Sequence, residues 1–160
     1  MGGGGERDEM FYDRKSPRLK HFDYATPTMY FVTICTHGMV CLFGQPDALN
    51  ELGHTVRACI EQIPFHYDCA TVEKYVVMPN HVHMLILLTG ENCPALSTII
   101  GSYKSNVSKQ IHLINPAVHV WQRSFHDHIV RNENTLERIW KYIDENPYHW
   151  NEDKFFVNDL

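Results

Sequence analysis

Residues 75–88 (Tyr-Val-Val-Met-Pro-Asn-His-Val-His-Met-Leu-Ile-Leu-Leu) form an apolar run interrupted by a single His-x-His, His81 and His83. An apolar run of this length, rich in β-branched residues, predicts strand, and a strand's period of two puts both imidazoles on one face. Two readings follow. Either the rings are a packed, hydrogen-bonded pair, or they share one cation. The strand by itself leaves both open, so the choice falls to the rest of the chain.

Runs of β-branched and aromatic residues at 28–37 and 39–43, separated by Gly38, predict a hairpin. Leu49, Leu52, Val56, Ile60 and Ile63 recur at helical spacing and predict a helix closed by Pro64. Residues 69–77 and 82–88 predict two strands, parted at Pro79, which a central strand would not accept. A second helix is marked by Leu96, Ile99, Ile100, Tyr103, Val107 and Ile111, with Pro116 beyond it. A further strand is expected over 119–130. Asn134 and Glu137 resemble a capping box before a third helix bearing Leu136, Ile139, Trp140 and Ile143, which Pro147 stops near Asn146. The order ββαββαβα predicts an α+β sandwich, with helices packed on one face of a mainly antiparallel sheet.

With 160 residues, 44% of them hydrophobic, the chain suits a single domain with a real core. That domain is expected over 14–160, and residues 1–13, with four consecutive glycines, are expected to be a disordered or added start. Five cysteines (Cys35, Cys41, Cys59, Cys69, Cys93), odd in number and without a Cys-x-x-Cys pair, read as reduced, buried thiols of a cytoplasmic protein. No run is long and apolar enough to suggest a membrane span or a signal peptide, so no membrane partner is expected.

A formal charge of −5 argues against coating nucleic acid by bulk electrostatics. The charges are unevenly spread, however. Arg14, Lys15, Arg18 and Lys20 occur together without an acid, and Lys104, Lys109, Arg123 and Arg131 face only Asp127 over 95–131. The tail from residue 133 carries seven acids and three bases. One face can therefore meet a phosphate backbone, although ordinary solvated charge accounts for the counts equally well.

On the third helix, Tyr142 and Asn146 are four residues apart and share a face at the flank of the apolar stripe. Taken singly, they read as an interfacial aromatic and a helix-ending residue before proline. Taken with His81 and His83, they suggest a centre: two imidazoles and an amide oxygen leave open positions on a divalent ion, which suits Mg²⁺ or Mn²⁺ engaging a phosphate better than a closed structural zinc. A phenol beside such a phosphate can act as a covalent nucleophile.

The segment Tyr75-Val-Val-Met-Pro-Asn-His-Val-His-Met-Leu-Ile resembles the HUH signature of single-tyrosine transposases, and Tyr142-Ile-Asp-Glu-Asn-Pro147 resembles their nucleophile helix. The resemblance is to the REP-associated tyrosine transposase branch of the small insertion-sequence transposases. Further matches lie at Arg18-Leu19 with Asp23-Tyr24, at residues 30–37 with 41–44, and at 121–132, so that the likeness covers roughly residues 14 to 155. It implies a ferredoxin-like domain that cleaves and rejoins single-stranded DNA at ends marked by hairpins. It implies His81, His83 and Asn146 as metal ligands and Tyr142 as the nucleophile forming a 5′-phosphotyrosine link. Arg14, Lys15, Arg18, Lys20, Lys104, Arg123 and Arg131 are the expected DNA contacts. A second pair, His126 and His128, is expected to be structural or substrate-positioning. The resemblance leaves monomer and homodimer both open. Two other readings remain: a domesticated hairpin-binding protein of the same fold without turnover, and a zinc hydrolase using His81, His83 and another histidine.

Overall fold

The computed structural model describes residues 27–152. Arg14, Lys15, Arg18 and Lys20, and the expected start at 1–13, lie outside the described residues. The elements in chain order are β1 (Thr28–Cys35), a 3-10 turn (His37–Met39), β2 (Gly44–Gln45), β3 (Ala48–Leu49), α1 (Glu51–His66), β4 (Ala70–Met78), β5 (His81–Leu88), α2 (Leu96–Ile114), β6 (His126–Val130), α3 (Glu133–Glu145) and a closing 3-10 turn (Asn146–Glu152). A four-stranded sheet has the order β4-β5-β1-β6, antiparallel throughout. This is the expected α+β class, and the succession β1-α1-β4-β5-α2-β6 with that strand order is the ferredoxin-like arrangement.

Alternation along the strands sorts the core. Tyr30, Val32 and Ile34 of β1 and Val82, Met84 and Ile86 of β5 meet α1 and α2, as expected, through Val56, Ile60, Ile63, Ile99, Ile100, Val107 and Ile111. The intervening Phe31 and Leu85 point the other way and meet Ile139 and Ile143 of α3. The third helix, expected on the same face as the first two, thus adds a layer on the opposite face instead. A sheet covered on both sides explains why β5 reads as a continuous apolar run rather than an alternating one.

Several boundaries differ from expectation. Residues 39–43 are not a strand, because both edges of β1 are taken by β5 and β6. Instead, the Leu42 and Phe43 amides donate to the Pro79 carbonyl at 2.9 and 3.1 Å, which buries Phe43 completely against Trp121. Gly53 is needed beside this segment, since a Cβ there would lie 2.2 Å from the Phe43 carbonyl oxygen. Helix α1 runs through Pro64 to His66, although proline has no N–H to donate to the Ile60 carbonyl. Asn50 caps α1, accepting from Gly53 N–H at 2.9 Å. The cap of α3 is Asn132, accepting from Thr135 N–H at 2.8 Å, and not the expected Asn134. The expected strand over 119–130 is interrupted: Trp121 makes one bridge to Thr36, and the ladder resumes only at His126. At Pro147 the α-helix stops as expected, yet Asn146 keeps helical dihedrals and the chain tightens into the 3-10 turn.

The cysteine expectation holds in full for Cys35 and Cys59, which are buried and outside the disulfide. Cys41 is also outside it but only half-buried, whereas Cys69 and Cys93 are joined in a disulfide. The β4-β5 hairpin brings its two ends together, where Thr89 N–H donates to the Cys69 carbonyl at 2.9 Å, and the loop into α2 then places Cys93 with a Cα–Cα distance of 5.6 Å. Sequence spacing gives no hint of that approach. Among the described residues, no helix is long and apolar enough to cross a membrane.

Candidate active site

His81 and His83 open β5 on the face covered by α3, and both are fully buried. The two-residue turn at Pro79-Asn80 puts the Asn80 amide beside the first ring: His81 Nδ1 lies 2.8 Å from Asn80 Oδ1. The register that pairs Thr33 of β1 with His83 brings the Thr33 hydroxyl 2.8 Å from His83 Nδ1. An amide oxygen accepts only, so His81 donates from Nδ1 and keeps the lone pair on Nε2; the Thr33 hydroxyl can accept in the same way. Holding Nδ1 is how proteins orient an imidazole that ligates through Nε2. The two rings stand 4.6 Å apart, centre to centre, at 71°.

The other wall is α3 and the turn after it. Burial of Ile139 and Ile143 fixes the rotation of α3 and points Tyr142 at the sheet. Its hydroxyl lies 3.4 Å from His83 Nε2, and its ring meets Phe31 edge-on at 6.3 Å. Phe31 also stacks on His83 at 5.2 Å and 25°. Lys74 of β4 braces the helix from outside, paired with Asp144 and set over the Trp140 ring at 4.5 Å. Asn146, only 3% exposed, starts the 3-10 turn that carries Trp150 to within 6.2 Å of His81. The structure therefore brings His83 and Tyr142 together, with His81 beside His83 and Asn146 buried on the segment that closes over His81.

These donors fit a divalent cation. Two imidazoles with their Nδ1 atoms held, and a buried amide carbonyl, make a partial set that leaves positions for phosphate or water oxygens. Among the described residues, no group of three His, Cys, Asp or Glu could hold a metal, so the hydrolase reading with a third histidine finds no partner there.

The remaining expected residues are scattered. His126 and His128 lie on the same sheet face as the first pair, since β6 pairs His126 with Thr33 and His128 with Phe31. Strand β1 intervenes, which puts their backbone about 10 Å from β5, two strand spacings away. Lys104 belongs to α2 on the opposite face; it donates to the Gln122 and Ser124 carbonyls at 2.7 and 3.1 Å, and burial pushes its pKa down. Arg123 and Arg131 are exposed at either end of the segment containing β6. Thr33, Asn80, Phe31 and Trp150 were not singled out for the site by sequence. A polar residue at the position facing His83 within an apolar strand is the signal that marks Thr33.

Comparison with known proteins places the chain. A family model described as IS200-like transposase matches residues 34–146. The chain belongs to the IS200-like transposase family. A Haemophilus influenzae protein described as uncharacterized is 32% identical over 92% of this chain and 95% of its own length. A second protein of that organism, provisionally named REP-associated tyrosine transposase, is 27% identical over 78% of this chain and 73% of its own. Among solved structures, a REP-associated tyrosine transposase bound to a REP hairpin aligns with TM-score 0.60 at 19% identity, covering 87% of this chain and 76% of that one. A Deinococcus radiodurans protein provisionally called a transposase aligns with TM-score 0.55 at 14% identity, covering 81% and 97%. The two structures share the fold of this transposase-family chain, and the resemblance read from its motifs is borne out.

Proposed function

We propose that this transposase-family protein nicks and rejoins single-stranded DNA, probing for hairpin-marked ends, with Tyr142 as the nucleophile. The observation that carries the reading is the contact of the Tyr142 hydroxyl with His83 Nε2 at 3.4 Å, beside a second imidazole held in the same way. His81, His83 and Asn146 would hold Mg²⁺ or Mn²⁺, which when bound supplies electrophilic stabilisation of charge on a phosphoryl oxygen. The chain's own residues do the rest. Phe31 and the Ile139–Ile143 face of α3 position the phenol and shield it from bulk water. Thr33 and Asn80 fix the two rings.

In the reaction, Tyr142 Oη bonds to phosphorus as the bond from phosphorus to the 3′ oxygen breaks. The phenol releases its proton, the departing oxygen takes one up, and the downstream strand stays on the protein as a 5′-phosphotyrosine. Attack by a 3′-hydroxyl reverses the step and rejoins the strands. The family membership and the hairpin carried by the structural neighbour support DNA as the substrate. The test is an oligonucleotide with a hairpin and a single-stranded flank, incubated with Mg²⁺ or Mn²⁺ and resolved under denaturing conditions. A protein–DNA adduct is expected with the native chain and none with Tyr142→Phe. Cleavage by Tyr142→Phe would refute the mechanism.

A further inference from the structure

A second surface, on the face of the sheet away from Tyr142, is built like a nucleotide site. Between α2 and the segment leading to Trp121 lies an open groove of about 510 Å³. Lys104, Ser105, Ser108, Lys109 and His112 line its α2 side, and His119 lines the other. The groove has no acidic lining residue, and the chain carries none anywhere between Glu91 and Asp127, against nineteen in the whole sequence. In a protein of net charge −5, that segregation marks a place where anions are favoured.

Two further features point to a nucleotide and not merely to an anion. His119 stacks on His37 with centroids 3.8 Å apart and planes at 15°, and both residues are exposed, giving a flat aromatic platform at the rim. Trp121, only 5% exposed, lines the groove, and its indole Nε1–H, a donor only, has no acceptor among the described residues. Cationic side chains along a groove with a stacking platform beside them are the elements by which proteins hold unpaired strands.

We infer that this groove binds a segment of single-stranded nucleic acid, with a backbone phosphate between Lys109 and Ser108 and a base on the His37–His119 stack, while His112 Nε2–H donates to the Val118 carbonyl at 2.7 Å and so braces the groove wall. The inference builds on the proposed function. Trp121 bridges Thr36, one residue beyond the Cys35 that pairs with His81, so the groove and the candidate active site share one end of the sheet. A strand leaving the groove can turn around that end towards Tyr142.

The test is fluorescence anisotropy of a labelled oligothymidylate with the full chain in EDTA, where binding is read without cleavage. Lys109→Glu should weaken binding about tenfold and reduce the salt slope by about 0.7. Arg57→Glu, the same charge change on exposed α1, should alter it less than twofold. The double variant His37→Ala/His119→Ala should lose about fivefold or more with its salt slope unchanged. All these positions are exposed, and circular dichroism checks that each variant is folded. Equal losses from Lys109→Glu and Arg57→Glu would overturn the inference, as would an unaffected histidine variant. Adduct formation on the hairpin substrate, measured in parallel, reports on Tyr142 and separates a failed groove from a failed active site.

Discussion

Thr33 and Asn80 decide what the histidine pair can do. Each engages an Nδ1 at 2.8 Å; the Asn80 oxygen, an acceptor only, leaves His81 Nε2 as a lone-pair donor, and the Thr33 hydroxyl leaves His83 Nε2 as one when it accepts. Thr33→Val keeps the shape and burial of the side chain but removes the hydroxyl, leaving a buried imidazole nitrogen without its partner. The expected result is Mn²⁺ affinity reduced about 10- to 100-fold, read by calorimetry or electron paramagnetic resonance, with little change in secondary structure. Unchanged Mn²⁺ affinity in Thr33→Val would remove Thr33 from the site. The contact between Tyr142 and His83 carries its own expectation. Tyr142→Phe leaves the ring packed on Phe31, so it should unfold within about 1 kcal/mol of the native chain while losing the adduct. A large loss of stability would mean the hydroxyl is structural.

Helix α3 is the element that converts a strand motif into a site, and it rests on few contacts. Ile139 and Ile143 are its buried residues, so Ile139→Ala should cost about 2–5 kcal/mol in denaturant unfolding and depress adduct formation by more than its effect on folded fraction. Asn132→Ala, which removes the cap, should cost about 1 kcal/mol. Across the molecule, β4 is tied to α1 by the Tyr75 hydroxyl, which donates to Glu61 at 2.6 Å. Burial first, and then Glu61, push the Tyr75 pKa up to about 12. The fold favours the neutral phenol, so this contribution is complete below about pH 10 and is lost as pH rises towards about 12. The stability gap between the native chain and Tyr75→Phe should therefore shrink in alkali. A gap that widens would reverse the assignment.

Much at this scale was legible in sequence because it follows from periodicity. The stripe Leu96, Ile99, Ile100, Tyr103, Val107 and Ile111 is the set that α2 buries. The His-x-His strand and the tyrosine helix also stand where the pattern puts them. What was not legible depends on neighbours distant in sequence. Residues 39–43 have strand composition, yet β1 has no free edge to offer them. The cap shifted from Asn134 to Asn132 because both are good caps and only the approach of β6 selects between them. The face chosen by α3 could not be read from its own stripe, which is amphipathic on either side of a sheet.

At the scale of the whole molecule, the sheet separates two surfaces that meet at one end: buried histidines and a tyrosine under α3, and an acid-free groove along α2. The opposite end is closed by the disulfide between Cys69 and Cys93, far along the strands from His81. Closing a loop of that sequence separation, 24 residues, contributes about 3 kcal/mol by restricting the unfolded chain. Thiol titration of the denatured chain should find three groups before reduction and five after; five in both would show the bond absent. The central claim, however, is that Tyr142 is the residue that holds DNA. Its most direct test is to label the oligonucleotide at either end, trap the reaction with Mn²⁺, and map the adduct by tandem mass spectrometry. The account predicts that only the 3′-labelled strand remains on the protein, attached at Tyr142. Attachment at another residue, or free cleavage products with no adduct at any time, would contradict it.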